Sequence, residues 1–389
     1  MSRRILPLLL LGVATGCADA PPMGTATPGE PVAGLTEAER GRFLLGRALF
    51  ERLATQEEGL GPLFNGDRCS TCHDEPSSGG AGTRVLVLKA TRFEGGRCSV
   101  LTDEGGDNIQ QRSTPLLQAA GVSAEPVPAG ATASVYVTAP PLYGLGLLEA
   151  VSEADLLARE DPDDADGDGI SGRAPRRPDG TVARFGRKGD ATSVRGFVVD
   201  ALLQELGFTT EAHPNDLGPG GAALPDGVDP MPDPEMDPAT VDVLTDYVRL
   251  LAPPAPEVAE GAAADSVEAG RRLFADVGCT GCHTPSLRTG PAPQAALADG
   301  TIAPYSDLLL HDLGGADRDV CTPWADPGEY RTPPLWGLRY RTRFLHDGSA
   351  RSLGAALDAH GGEATRARAA FQALSPADQA RLLRFLASL

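Results

Sequence analysis

Cys69-Ser70-Thr71-Cys72-His73 and Cys279-Thr280-Gly281-Cys282-His283 decide the fold, because one five-residue pattern stands twice in the chain. Cys-x-x-Cys-His is the attachment sequence for c-type haem. Two thiols one helical turn apart reach the two vinyl groups on one porphyrin edge. The imidazole that follows is then placed under the iron as proximal ligand. A thioredoxin-like reading needs a βαβ setting, which the surrounding pattern lacks. A zinc reading would have to pair two motifs that lie 210 residues apart and belong to repeated units.

Working outward, other landmarks recur in the same order. Gly46-Arg47-Ala48-Leu49-Phe50 precedes the first motif and Gly270-Arg271-Arg272-Leu273-Phe274 the second. Pro140-Pro141-Leu142-Tyr143-Gly144-Leu145 matches Pro333-Pro334-Leu335-Trp336-Gly337-Leu338. A closing amphipathic helix ends each unit, at Leu244 to Leu251 and at Leu382 to Leu389. Thr36 with Glu39 makes a capping box for the first helix, whose apolar residues Phe43, Leu44, Ala48 and Leu49 fall at helical spacing. Asp237-Pro238 and Ser375-Pro376 each place a cap before a proline at the first helical position. Strand signals are few, at 83–90 and 134–138. The expected fold is mainly α: two cytochrome-c-like haem domains from an internal duplication, joined by long loops. They span 35–254 and 266–389, with a linker at 255–265 and an Asp/Gly/Pro-rich insertion at about 158–236 in the first.

Composition fits this picture. Among 389 residues, 47 glycines and 34 prolines with 5% aromatics point to short helices and long loops, and 41% apolar residues can fill real cores. A formal net charge of −19 argues against nucleic acid as a partner. Arg3-Arg4 followed by the apolar run Ile5–Val13 reads as a secretory signal. Its end, Ala14-Thr15-Gly16-Cys17, has the form of a lipobox, making 1–16 a lipoprotein signal peptide and Cys17 the lipidated residue. A flexible tether, 17–34, would follow, and the protein would face the periplasm on a membrane anchor, the outer membrane being the expected one. Cys98 and Cys321 remain, one in each half, and an oxidising compartment favours a disulfide between them.

Further stretches carry a resemblance: Gly59-Leu60-Gly61-Pro62-Leu63-Phe64-Asn65, Pro140 through Ala150, and Asp166-Gly167-Asp168-Gly169-Ile170-Ser171-Gly172-Arg173. Ser306 through Gly314, Arg331 through Leu338 and Phe344-Leu345-His346-Asp347-Gly348 complete it. Over about 35–389 the chain resembles the bacterial di-haem oxidoreductases related to the di-haem cytochrome c peroxidases. The resemblance implies electron entry at the C-terminal haem and reduction of hydrogen peroxide at the N-terminal one. It also implies a periplasmic donor, a small cytochrome c or a cupredoxin. A non-catalytic electron carrier, or an oxidase of a protein, iron or sulfur substrate, is the alternative.

The distal ligands decide which haem does chemistry, since an iron with two protein ligands relays electrons and one with an open side binds an oxidant. In similar peroxidases the residue 14 after the His-Asp-Gly histidine is the distal methionine of the C-terminal haem; here it is His360, so a His283/His360 pair is expected. Arg331 looks like a propionate partner, and His311 and His346 like groups near the haem edge. Position 89, where relatives carry the distal histidine of the other haem, is a lysine. Aligning the repeats places Glu149 opposite His346, as a candidate acid–base carboxylate over the first haem or a helix-entry carboxylate near Ser152. Asp164, Asp166 and Asp168 match the first half of a calcium loop, although position 12 is Pro175. Similar enzymes hold calcium between their haem domains.

Overall fold

The computed structural model describes residues 23–82, 84–315 and 319–389. The signal segment and Cys17 lie outside these residues. Of the chain, 33% is helical and 15% strand, so helices dominate. The first half holds α1 (Glu37–Glu51), α2 (Pro115–Ala119), α3 (Leu145–Glu149), α4 (Glu153–Leu157), α5 (Val194–Leu206) and α6 (Pro238–Leu250). The second holds α7 (Ala262–Asp276), α8 (Leu353–Asp358), α9 (Thr365–Ala373) and α10 (Pro376–Leu386). Among the described residues no helix is long and apolar enough to cross a membrane.

The expected caps form. Thr36 and Glu39 exchange hydrogen bonds at the start of α1, and Asp237 and Ser375 cap the proline-led α6 and α10. The buried stripe of α1 differs from the expected one: Phe43, Gly46 and Phe50 turn inward, while Leu44 is 53% exposed. The reason is Gly46. A Cβ there would lie 2.4 Å from the Val243 carbonyl and 2.7 Å from Tyr247 Cβ, so α1 crosses α6 at backbone contact. Gly270 makes the same approach of α7 to α10, where a Cβ would meet the Arg381 carbonyl at 2.0 Å. Each crossing seats one phenylalanine beside a motif histidine. The Phe50 and His73 rings are 6.3 Å apart, and the Phe274 and His283 rings 6.2 Å.

The expected strands form an antiparallel pair, β2 (Leu86–Glu94) with β6 (Ala133–Thr138). β2 also pairs with β3 (Arg97–Ser99) and β4 (Asn108–Ile109), and short two-stranded pairs lie elsewhere in the chain. Cys98 on β3 is bonded to Cys321, with 5.8 Å between their Cα atoms, so the bridge ties the first half's sheet to the second half.

Packing runs across the expected segments in three places. The acidic insertion contributes to the first core: α5, capped by Ser193 and stopped by the left-handed Gly207, buries Val194, Val198, Val199, Leu202, Leu203 and Leu206. The first core also takes Leu287, Leu297, Ile302, Leu308, Leu309 and Trp336 from beyond the linker, so the halves share packing. The tether is anchored over its later part. Met23 N bonds the Thr301 carbonyl at 2.9 Å, Val32 N bonds the Leu250 carbonyl at 2.9 Å, and Val32 is 1% exposed. The apolar Val32 gains more from burial than from chain freedom.

Overpacking sets a test of the crossings. Gly46→Ala and Gly270→Ala should each destabilise the protein by about 1–3 kcal/mol. Gly41→Ala, on α1 with nothing within 4 Å of its Cβ position, should stabilise it by roughly 0.5–1 kcal/mol. Urea unfolding followed by circular dichroism reads all three.

Candidate functional site

Both motifs fold as a single 3₁₀ turn, Cys69–Thr71 and Cys279–Gly281, and the histidine N–H closes it on the first cysteine's carbonyl at 3.1 and 3.0 Å. Thiols and imidazole therefore leave the backbone as one compact group. Burial pushes the Cys69, Cys72 and Cys279 thiols up to about 12, and all four motif cysteines are free. The imidazoles are oriented from behind. His73 Nδ1 lies 3.2 Å from the Gly80 carbonyl and His283 Nδ1 2.9 Å from the Tyr305 carbonyl, which leaves each Nε2 for a metal. Burial holds both rings down at about 4, so each is neutral at neutral pH, the form that binds iron.

His283 opens on a cavity of about 1070 Å³ with an apolar wall that includes Leu335, Trp336 and Phe344. The volume suits a macrocycle. His360 lines the same cavity, with Nδ1 2.7 Å from the Ala356 carbonyl, and its charge is felt at His283. The structure thus brings His283 and His360 together. His346 lines the cavity too, stacked on Tyr330 with ring centroids 4.7 Å apart and paired through Nε2 with Asp319 at 2.9 Å.

Five arginines line this space, Arg366 and Arg368 among them; the three lowered by burial are Arg331, as expected, together with Arg187 and Arg341. Among the described residues none of the three is in an ion pair, and Arg341 Nε is buried without a partner. Burial lowers Arg187 and Arg331 to about 10 and lowers Arg341 as well. Nearby carboxylates are engaged elsewhere, Asp319 by His346 and Asp307 by His311 at 2.8 Å. Uncompensated cations on a cavity wall call for an anion. An apolar slot, two imidazoles, two free thiols and unpaired guanidiniums are a set that fits haem at the second site. Arg187 and Arg341 were not apparent in the sequence, because no spacing marks a charge that acts across the fold.

Other expected groups stand elsewhere. Both carboxylate oxygens of Glu149 are engaged: Oε1 accepts the Val194 N–H at 2.8 Å and Oε2 the Arg249 Nε at 2.7 Å. Glu149 thereby ties the start of α5 to α6, and Ser152 is bonded instead to Asp155. Lys89 is paired with Asp107 at 2.8 Å; burial opposes its charge, but Asp107 and Asp190 outweigh it. The acidic loop gathers Asp161, Asp164 and Asp166, whose oxygens lie within 4.8 Å of one another, while Asp168 lines the cavity instead. A second acidic group, Asp216, Asp229, Asp233 and Glu235, escaped the sequence reading; burial and its neighbours raise Asp216 to about 8. His213 pairs with Asp200 in an outward-facing loop.

The comparisons follow this geometry. Residues 132–389 match the model of a family described as "Di-haem oxidoreductase, putative peroxidase". The chain belongs to this family. The matched span includes the second Cys-x-x-Cys-His, and the first lies N-terminal to it. This di-haem oxidoreductase is also similar to a hydrazine synthase structure from Kuenenia stuttgartiensis, at 15% identity and TM-score 0.44, covering 99% of this chain and 100% of that one. A MauG-like protein associated with microbial copper homeostasis matches at 14% identity and TM-score 0.40, over 95% of this chain and 93% of that one. No curated protein matches the chain.

Two measurements check the site. Glu149→Gln should cost about 1–3 kcal/mol of stability and leave turnover per folded molecule near wild type; thermal unfolding and activity normalised to folded protein separate the two. His311 gives a pH signature. Burial opposes its charge, but Asp307, Cys282 and Glu363 outweigh burial and raise it, while Glu363 is lowered to about 2 against its own burial. The histidine's share of stability is complete below about pH 6.5 and fades as pH rises; the glutamate's is complete above about pH 4.5 and fades as pH falls. The unfolding free-energy difference between wild type and His311→Gln should therefore be largest near pH 5.5 and smaller at about pH 3 and about pH 8.5.

Proposed function

We propose that this di-haem oxidoreductase is a peroxidase-like enzyme built from two copies of one cytochrome-c-like unit. It would be lipid-anchored through Cys17 and face the periplasm. Bound haem supplies a redox-active iron, which relays electrons when both axial positions are filled by protein and binds a small oxidant when one is open. The observation that carries the reading is the asymmetry between the two sites. His283 shares its cavity with His360, which supports a bis-imidazole relay site that accepts electrons from a small cytochrome c or cupredoxin. At the first site the two groups that the sequence offers opposite His73 are both engaged by other partners. Lys89 is kept charged by Asp107 and Glu149 is kept in place by Arg249, which supports an open side for hydrogen peroxide.

In this reading Cys69, Cys72, Cys279 and Cys282 hold the two haems as thioethers. The Gly80 and Tyr305 carbonyls fix the ring orientation of His73 and His283. Arg331 binds a propionate, and Asp161, Asp164 and Asp166 hold calcium beside the second motif, where Ile170 meets Gly281.

Resonance Raman and magnetic circular dichroism of the purified protein test the assignment. One low-spin bis-imidazole haem and one haem that reacts with peroxide after partial reduction are expected. His360→Ala should convert only the low-spin signal. Two six-coordinate haems that both ignore peroxide would sink the peroxidase reading and favour a carrier that passes electrons between periplasmic partners.

A further inference from the structure

Arg187 has a position that Arg331 and Arg341 lack. It sits in the tight turn closed by the Phe185–Ala191 bridge. The turn is locked to the second half because Arg331 N bonds the Arg187 carbonyl at 2.8 Å and Arg331 Nε bonds the Gly186 carbonyl at 2.8 Å. The Arg187 guanidinium donates to the Thr138 carbonyl and, at 3.0 Å, to Thr138 Oγ1. Thr138 ends β6, and the carbonyl of the next residue, Ala139, accepts the Gly82 N–H at 3.1 Å; Gly82 lies against the Cys72 carbonyl of the first motif, which a Cβ there would meet at 1.7 Å. The same Thr138 takes the His346 carbonyl on its N–H at 2.9 Å. One guanidinium thus stands between the first motif and the cavity that holds His283 and His360.

Charge reinforces the geometry. Arg187 shares the cavity wall with Arg331 and Arg341. Asp190 and Asp319 are the carboxylates that reach it. Asp319 is paired with His346, and Asp190 is shared with Lys89 and Lys188. Much of the positive charge of Arg187 is therefore left for what occupies the cavity and for the neighbouring first site. Arg341 has no comparable link to the first motif; its surroundings are Tyr143 and the Phe344 ring.

We propose that Arg187 is a positive charge shared by both haem sites, a positioning residue that binds a propionate and sets the two reduction potentials together. The inference rests on the di-haem reading and adds to it the element that couples the two centres. A fixed cation favours the state with one more electron, so its removal lowers the potential of every iron within its reach. A guanidinium reaching one site alone would move one potential only.

The test is a spectroelectrochemical titration of the full-length protein carrying both haems, with haem content measured on the same sample. Arg187→Gln should lower both midpoint potentials, each by up to about tenfold in the reduction equilibrium, or 59 mV for one electron. Arg187→Lys should keep both within a few-fold of wild type, because the charge stays. Arg341→Gln should move one potential only. If Arg187→Gln cannot be loaded with two haems, Thr138→Val replaces it: it removes one of the two guanidinium anchors and should displace both potentials in the same direction. Either variant moving one potential while the other stays at its wild-type value overturns the proposal. A wild-type protein that binds fewer than two haems overturns the di-haem reading instead.

Discussion

The contact on which the structure depends is backbone against backbone at two glycines. Where Gly46 meets α6 and Gly270 meets α10, no side chain separates the helices, and the phenylalanine one turn further on is driven against a motif imidazole. A larger residue would push the helix out by the thickness of a methyl group. The ring behind the histidine would then lose its seat, and the carbonyl behind Nδ1 would lose its aim. The position of each motif histidine is thus set by one close helix crossing as well as by the loop that carries it. This explains how a chain so rich in glycine and proline can hold a site to tight tolerance.

Charge makes the second constraint. The chain is strongly acidic overall, yet the wall of its described cavity carries five arginines. Of the carboxylates on that wall, Asp319 and Glu363 are occupied by histidines. Such an arrangement is costly in an empty protein and favourable around an anionic cofactor. Stability and cofactor loading should therefore be linked, because a ligand that binds only the folded state adds its binding energy to folding.

Much of this was legible in the residues. Haem motifs, helix caps and the paired strands follow from local rules, and local rules hold where the neighbours in sequence are also the partners in space. The Cys98–Cys321 bridge was legible as a parity argument alone; its geometry needed the sheet. Less was legible where partners are remote. The sequence offers no sign that Glu149 is partnered by Arg249, 100 residues on. Leu44 belongs to the apolar pattern of α1 but not to its buried face, because Gly46 rotates the contact. α5 hides in an acidic stretch, since it is apolar on nearly all sides and shows almost no helical period, although Ser193 and Gly207 mark both its ends. The two halves look separable in sequence and share a core in space.

The segment from Met23 to Val32 touches the end of α6 and also Thr301. Met23 and its partner are separated by nearly 280 residues of chain. A contact so distant in sequence closes a loop that takes in most of the protein, and it can form only once both halves are in place. Until then the seam between the halves stands open at this edge, with part of the apolar surface of the first half uncovered.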